Sequence, residues 1–167
     1  MQSDCLAGLK AAAEVTMLDN EESLSAFVAA FEAGTYPVAQ FHHAGHLALA
    51  ACYLRENGAA ATGRIRANIR RYNEAQGGKN TGDAGYHETL TVFWLALVRA
   101  NLPAGVPRLD VVRFIVDTFA PRRDLFRDYY SFDVVKSKEA RLSWVSPDLP
   151  GPDGASFSGP LWEKIQT

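Results

Sequence analysis

Cysteine is almost missing from this chain, which carries only Cys5 and Cys52 among its 167 residues. Two thiols so far apart supply neither a disulfide framework nor the close pairs of a zinc ribbon. Long apolar runs are missing too. A run such as Val92 to Val98 falls far short of the ~20 residues that a membrane-spanning helix needs, so no membrane association is expected. Neither sign of charge dominates: 17 Lys and Arg oppose 19 Asp and Glu, for a formal net charge of −2. That balance offers no electrostatic footprint for nucleic acid or an anionic surface. The opening stretch MQSDCLAGLKAAAEVTM lacks a basic start followed by an apolar core. A reduced, cytoplasmic protein without a secretory leader is therefore expected. No convincing period-2 alternation of apolar and polar residues occurs, which argues against a sheet.

What remains is an ordinary globular composition, 47% hydrophobic and 22% charged, in a chain long enough for one buried core. Its apolar residues recur at helical spacing. Leu24, Phe27, Val28 and Phe31 form an i, i+3, i+4, i+7 stripe, with Asp19 or Asn20 as N-cap and Gly34 as terminator. A second helix is expected from about Pro37 to Asn57, before Gly58, and a third from about Ala60 to Gln76, with Ile65, Ile69 and Tyr72 on one face. KNTGDAG reads as a loop. The fourth helix, from about Tyr86 to Leu102, is apolar nearly all round and so predicts the buried centre of the fold. Arg108 to Phe119 reads as a fifth helix, Asp124 to Tyr130 as a patchier helical stretch, and Ser137 to Val145 as a short helix capped by Ser137. Short connections favour antiparallel neighbours. The expectation is one all-α domain, an antiparallel bundle of about five main helices plus a short C-terminal one. Its core spans 20–146, an N-terminal extension 1–19, and a turn-rich tail 147–167 that wraps the surface or stays disordered, with Trp162 as a candidate anchor.

Histidine is scarce as well, but its placement is not random. Three of the four lie in FHHAGHL as His42, His43 and His46, and the fourth is His87 in GYHETLT, beside Glu88. On a continuous helix, with Leu47 at zero, His43 falls at about −40°, His46 at about −100° and His42 at about −140°. All three share one arc, with Ala50 inside it leaving room beside the imidazoles. On the fourth helix His87 lines up with Leu90, Thr91, Trp94 and Val98, an inward stripe. Imidazoles and a carboxylate on facing helices are a ligand set for zinc or non-haem iron. HHxxH lacks the glutamate of HExxH and is not the metalloprotease motif.

Two further stretches carry polar chemistry. Arg64, Arg66, Arg70, Arg71 and Lys79 make a discontinuous basic side, read either as a solvated face or as a holder of a carboxylate or phosphate. Tyr129, Tyr130, Lys136, Lys138, Glu139 and Arg141 could close the open end of the bundle over a substrate or simply cap the core. GGKNTGDAG lacks the P-loop spacing, no G-x-S-x-G occurs, and Cys52 projects away from the histidines.

The leading expectation is a metal-dependent enzyme acting on a small polar metabolite. His42, His46 and His87 would hold a divalent zinc or iron ion, with His43 or Glu88 as a fourth ligand or general base. Arg70, Tyr130, Lys136 and Arg141 would contact the substrate, and a homo-oligomer is compatible with all of this. The alternative is a non-enzymatic helical module that binds a ligand or partner, with structural or pH-responsive histidines.

Overall fold

The computed structural model describes residues 16–151. Most of the expected extension and tail, Trp162 included, lies outside these residues. The described chain is an all-α bundle: α1 (Glu21–Glu32), α2 (His43–Asn57), α3 (Ala61–Ala75), α4 (Glu88–Ala100), α5 (Arg108–Phe119) and the short α6 (Lys138–Leu142). Single 3-10 turns at Val38–Gln40, Gly58–Ala60, Ala120–Arg122 and Leu125–Tyr129 join them. No strand occurs among the described residues, and no helix there is long and apolar enough to cross a membrane.

Several ends follow local chemistry. Asn20 caps α1 by accepting from the Ser23 amide at 2.9 Å, and Ser137 caps α6 by accepting from the Ala140 amide at 3.1 Å. Gly34, at φ +73°, takes the left-handed turn that ends α1. The start of the tail lies on the bundle, where the Leu149 amide donates to the Tyr129 carbonyl at 3.1 Å and Asp148 accepts from the Ser131 amide at 2.8 Å.

The centre of the bundle is α2, not the fourth helix. Ala44, Gly45 and Leu47 through Leu54 are all buried, and α2 packs against α3, α4 and α5. Small residues explain this: Ala44, Gly45, Ala48, Ala50 and Ala51 let neighbouring helices approach closely. The large side chains of α4 fill space instead, and Trp94, Leu90 and Leu97 remain only partly buried.

The basic side of α3 is not a free face. Arg64 donates to Glu32 at 2.7 Å, and Arg71 donates to the Glu32 carbonyl at 2.7 Å. Arg66 and Arg70 turn instead to α4, Arg66 by hydrogen-bonding Glu88. Guanidinium groups thus brace α3 against α1 on one side and α4 on the other.

Candidate functional site

Between α2, α3, α4 and the 120–126 segment lies a cavity of about 470 Å³. One wall is aromatic and belongs to a larger cluster. Phe41 packs 4.8 Å from Tyr72 and 5.2 Å from Phe31, ring centre to ring centre. Trp94 also lines the cavity and stands edge-on to His43 at 4.5 Å. Ala50, Ile65, Ile69, Leu90 and Leu95 complete the apolar lining, with Phe126, Tyr86, Thr91 and Asn73 at its edges. Arg123 and Asp124 also line it, with side chains 76% and 62% exposed, so they form the rim.

This arrangement corrects the expected helix boundaries, and with them the histidine site. The second helix starts at His43 and not near Pro37, because Phe41 and His42 are extended. That break lets the Phe41 ring fold back into the Phe31–Tyr72 cluster. Gly45 makes room for it, since a Cβ there would come within 3.0 Å of the ring. His42 becomes the N-cap residue of α2, so its side chain leaves the helical arc. It does not line the cavity.

His87 has the matching fate on the other helix. It is the N-cap of α4, not a member of it. Its Nδ1 accepts from the Leu90 amide at 3.3 Å, and its Nε2 lies 3.0 Å from the Val134 carbonyl. A carbonyl can only accept, so Nε2 carries the proton and both nitrogens are occupied. His87 therefore offers the cavity a ring face and no free lone pair.

His43 and His46 do share the cavity. Burial pushes the His43 imidazole down to about 4; the Phe119 carbonyl opposes this, Arg123 adds to it and Asp124 opposes it. Burial also pushes His46 down to about 4, with His43 adding a smaller effect. The His46 ring lines this cavity and is itself exposed, and the cavity opens at the Arg123–Asp124 rim, so solvent there moderates the effect. His46 packs on Phe41 at 4.3 Å and has no hydrogen bond to its ring among the described residues. His43 Nε2 is buried and unpartnered, as is His42 Nε2.

Glu88 is consumed by structure. Arg66 donates to its Oε1 from both Nε, at 2.8 Å, and Nη2, while the Tyr86 hydroxyl donates to Oε2 at 2.8 Å. Arg70 stands 3.9 Å from Oε2 and 4.2 Å over the Tyr86 ring. Three of the roughly four lone pairs of this carboxylate accept these hydrogen bonds, so it is held as a structural anchor between α3 and α4. Consistent with these assignments, no group of three or more His, Cys, Asp or Glu able to hold a metal ion exists among the described residues. The expected zinc or iron centre of His42, His46 and His87, and the metal-dependent enzyme built on it, are corrected on that ground.

None of the expected substrate contacts lines the cavity. Arg70 is held by Tyr86 and Glu88. The Tyr130 hydroxyl donates to the Val145 carbonyl at 2.9 Å, Lys136 pairs with Asp133 at 3.3 Å, and Arg141 donates to the Gly85 carbonyl at 3.0 Å. Sequence reading did not single out Phe41, Asn73, Tyr86, Arg123, Asp124 or Phe126. It did place Ile65, Ile69 and Tyr72 on one face, Leu90, Thr91 and Trp94 on one stripe, and Ala50 beside the imidazoles. All of these line the cavity. Compared with known proteins, the chain matches no family model, no curated protein and no solved structure.

Proposed function

We propose that the protein is a cytoplasmic, non-enzymatic helical module that binds a small molecule in the cavity of His43 and His46. One observation carries this reading. A mostly apolar cavity of about 470 Å³ contains two imidazoles whose hydrogen-bonding capacity the protein does not use up. Apolar cavities of roughly 300–1,000 Å³ with a few convergent polar groups are the usual form of a ligand site. Catalysis would need an activated nucleophile or a base poised near neutral pH. Glu88 is tied to Arg66 and Tyr86 and does not line the cavity, and His43 and His46, held near 4, are weak bases there. The cytoplasmic part rests on the low cysteine content.

The test uses the full chain and Nile red, an uncharged fluorescent probe of apolar cavities. Saturable 1:1 binding is expected. Ala50→Leu and Ile69→Phe each put bulk into the cavity and should weaken binding at least tenfold while the far-UV circular dichroism spectrum is retained. Equal binding by both variants, or no binding by the parent, would overturn the proposal.

A further inference from the structure

We infer that the cavity selects an uncharged ligand of two or three fused rings that carries a hydroxyl or ring N–H to meet His43 and His46; this rests on the binding-module reading above.

Neutrality follows from where the charges are. Among the described residues, the only ionisable lining groups besides the histidines and tyrosines are Arg123 and Asp124. They are neighbours of opposite sign, 3.6 Å apart and largely in solvent, so they cancel at the rim. Glu88, Arg66 and Arg70 stand close by but pair with one another and do not line the cavity. A charged ligand would have to leave water without a partner inside, which is costly. Burial keeps His43 and His46 unprotonated at neutral pH, so they supply no counter-charge.

Ring shape and size follow from the walls. Phe41 packs on Tyr72 and Trp94 on His43 within the lining, aromatic surfaces that favour flat π-systems over flexible chains. An apolar cavity of about 150 Å³ accommodates benzene. The cavity here, about 470 Å³, is roughly three times larger and suits two or three rings.

The polar head follows by elimination. The Tyr72 hydroxyl donates to the Tyr36 carbonyl, Asn73 donates to Asn80, the Tyr86 hydroxyl donates to Glu88, and His87 uses both nitrogens. Thr91 pairs with Tyr86. The His46 ring remains, open to the cavity; His43 Nε2 is also unpartnered but is buried, so a ligand reaches it only if the ring shifts. A neutral imidazole has one donor and one acceptor. A ligand hydroxyl meets both needs, and a ring N–H meets the acceptor.

Isothermal titration calorimetry of the full chain at pH 7 tests this with 2-naphthol against 2-naphthoate, 2-naphthylmethylamine and decan-1-ol, and with 2-methylnaphthalene as the control that lacks a polar group. The naphthol is expected to bind at least tenfold tighter than the naphthoate, the amine and decan-1-ol. His43→Phe and His46→Phe keep a ring but remove the nitrogens. At least one should weaken 2-naphthol by about 2- to 12-fold, the factor that one net hydrogen bond represents, while 2-methylnaphthalene binding is unchanged. Tighter binding of naphthoate or the amine overturns neutrality, decan-1-ol matching naphthol overturns the ring requirement, and two unresponsive histidine variants overturn the polar assignment. If Nile red binds and 2-naphthol does not, the ligand class is wrong and the cavity reading stands. If neither binds, both fall.

Discussion

Glu88→Leu isolates the bracing role assigned to this carboxylate from the catalytic role its sequence context suggested. The Glu88 side chain is 10% exposed and that of Arg66 33%. Removing one partner of a buried ion pair costs about 3–5 kcal/mol, chiefly because the other charge is left without compensation. Water already reaches a third of Arg66, so its share should lie lower, about 2–3 kcal/mol. The Tyr86 hydroxyl loses its acceptor as well, adding about 1 kcal/mol. The sum, about 3–4 kcal/mol, is a large part of the ~5–15 kcal/mol that holds a typical domain together. Urea unfolding followed by far-UV circular dichroism reads this as a lower midpoint at unchanged slope. The double variant Arg66→Met/Glu88→Leu removes the orphaned charge and should recover at least about 1 kcal/mol relative to Glu88→Leu alone. A Glu88→Leu protein within about 1 kcal/mol of the parent, or a double variant no more stable than the single one, would refute the argument.

Trp94→Ala should cost about 1–3 kcal/mol, below the ~3–5 kcal/mol of a fully buried ring, because Trp94 already borders open space; thermal melting measures it. His87→Ala should cost about 2–3 kcal/mol, roughly 1–2 for the lost N-cap and about 1 for the lost bond to the Val134 carbonyl. His87→Asn, which can still cap, should regain part of that in the same unfolding assay, and equal loss in both would argue against the capping role. The pH dependence has a definite sign. His43 and His46 are lowered from 6.5 to about 4 on folding, so their contribution is complete above about 6.5 and is lost as pH falls towards about 4. Glu32, lowered from its ordinary 4.5 although burial opposes its hydrogen bonds from Tyr53 and Arg64, adds a loss of the same sign at lower pH. Melting from pH 7 to pH 5 therefore reports on the histidines, and the double variant His43→Phe/His46→Phe should flatten that slope; an unchanged slope would show that neither ring is held neutral.

Helix type, number and most boundaries were legible because they depend on local rules. Apolar spacing located α1, α3 and α5, and the cap chemistry of Asn20, Gly34 and Ser137 needs only a neighbouring amide or a left-handed turn. The cavity lining was half legible for the same reason: Ile65, Ile69 and Tyr72, and Leu90, Thr91 and Trp94, share faces that any helix would create. The choice of α2 as centre was only partly legible: Leu47 to Leu54 is apolar all round, but its alanines carry a weak hydrophobic signal while allowing close approach. Nor could the histidine arc be judged from spacing. Whether His42 and His87 stand on a helix or at its cap depends on Phe41 finding Phe31 and Tyr72, and on Val134 reaching His87, contacts between residues far apart in the chain. Sequence by itself determined which faces each helix would carry, since a face needs only the 3.6-residue turn. Tertiary packing alone decided which histidines keep free nitrogens, because a hydrogen bond depends on whatever atom the fold brings within about 3 Å.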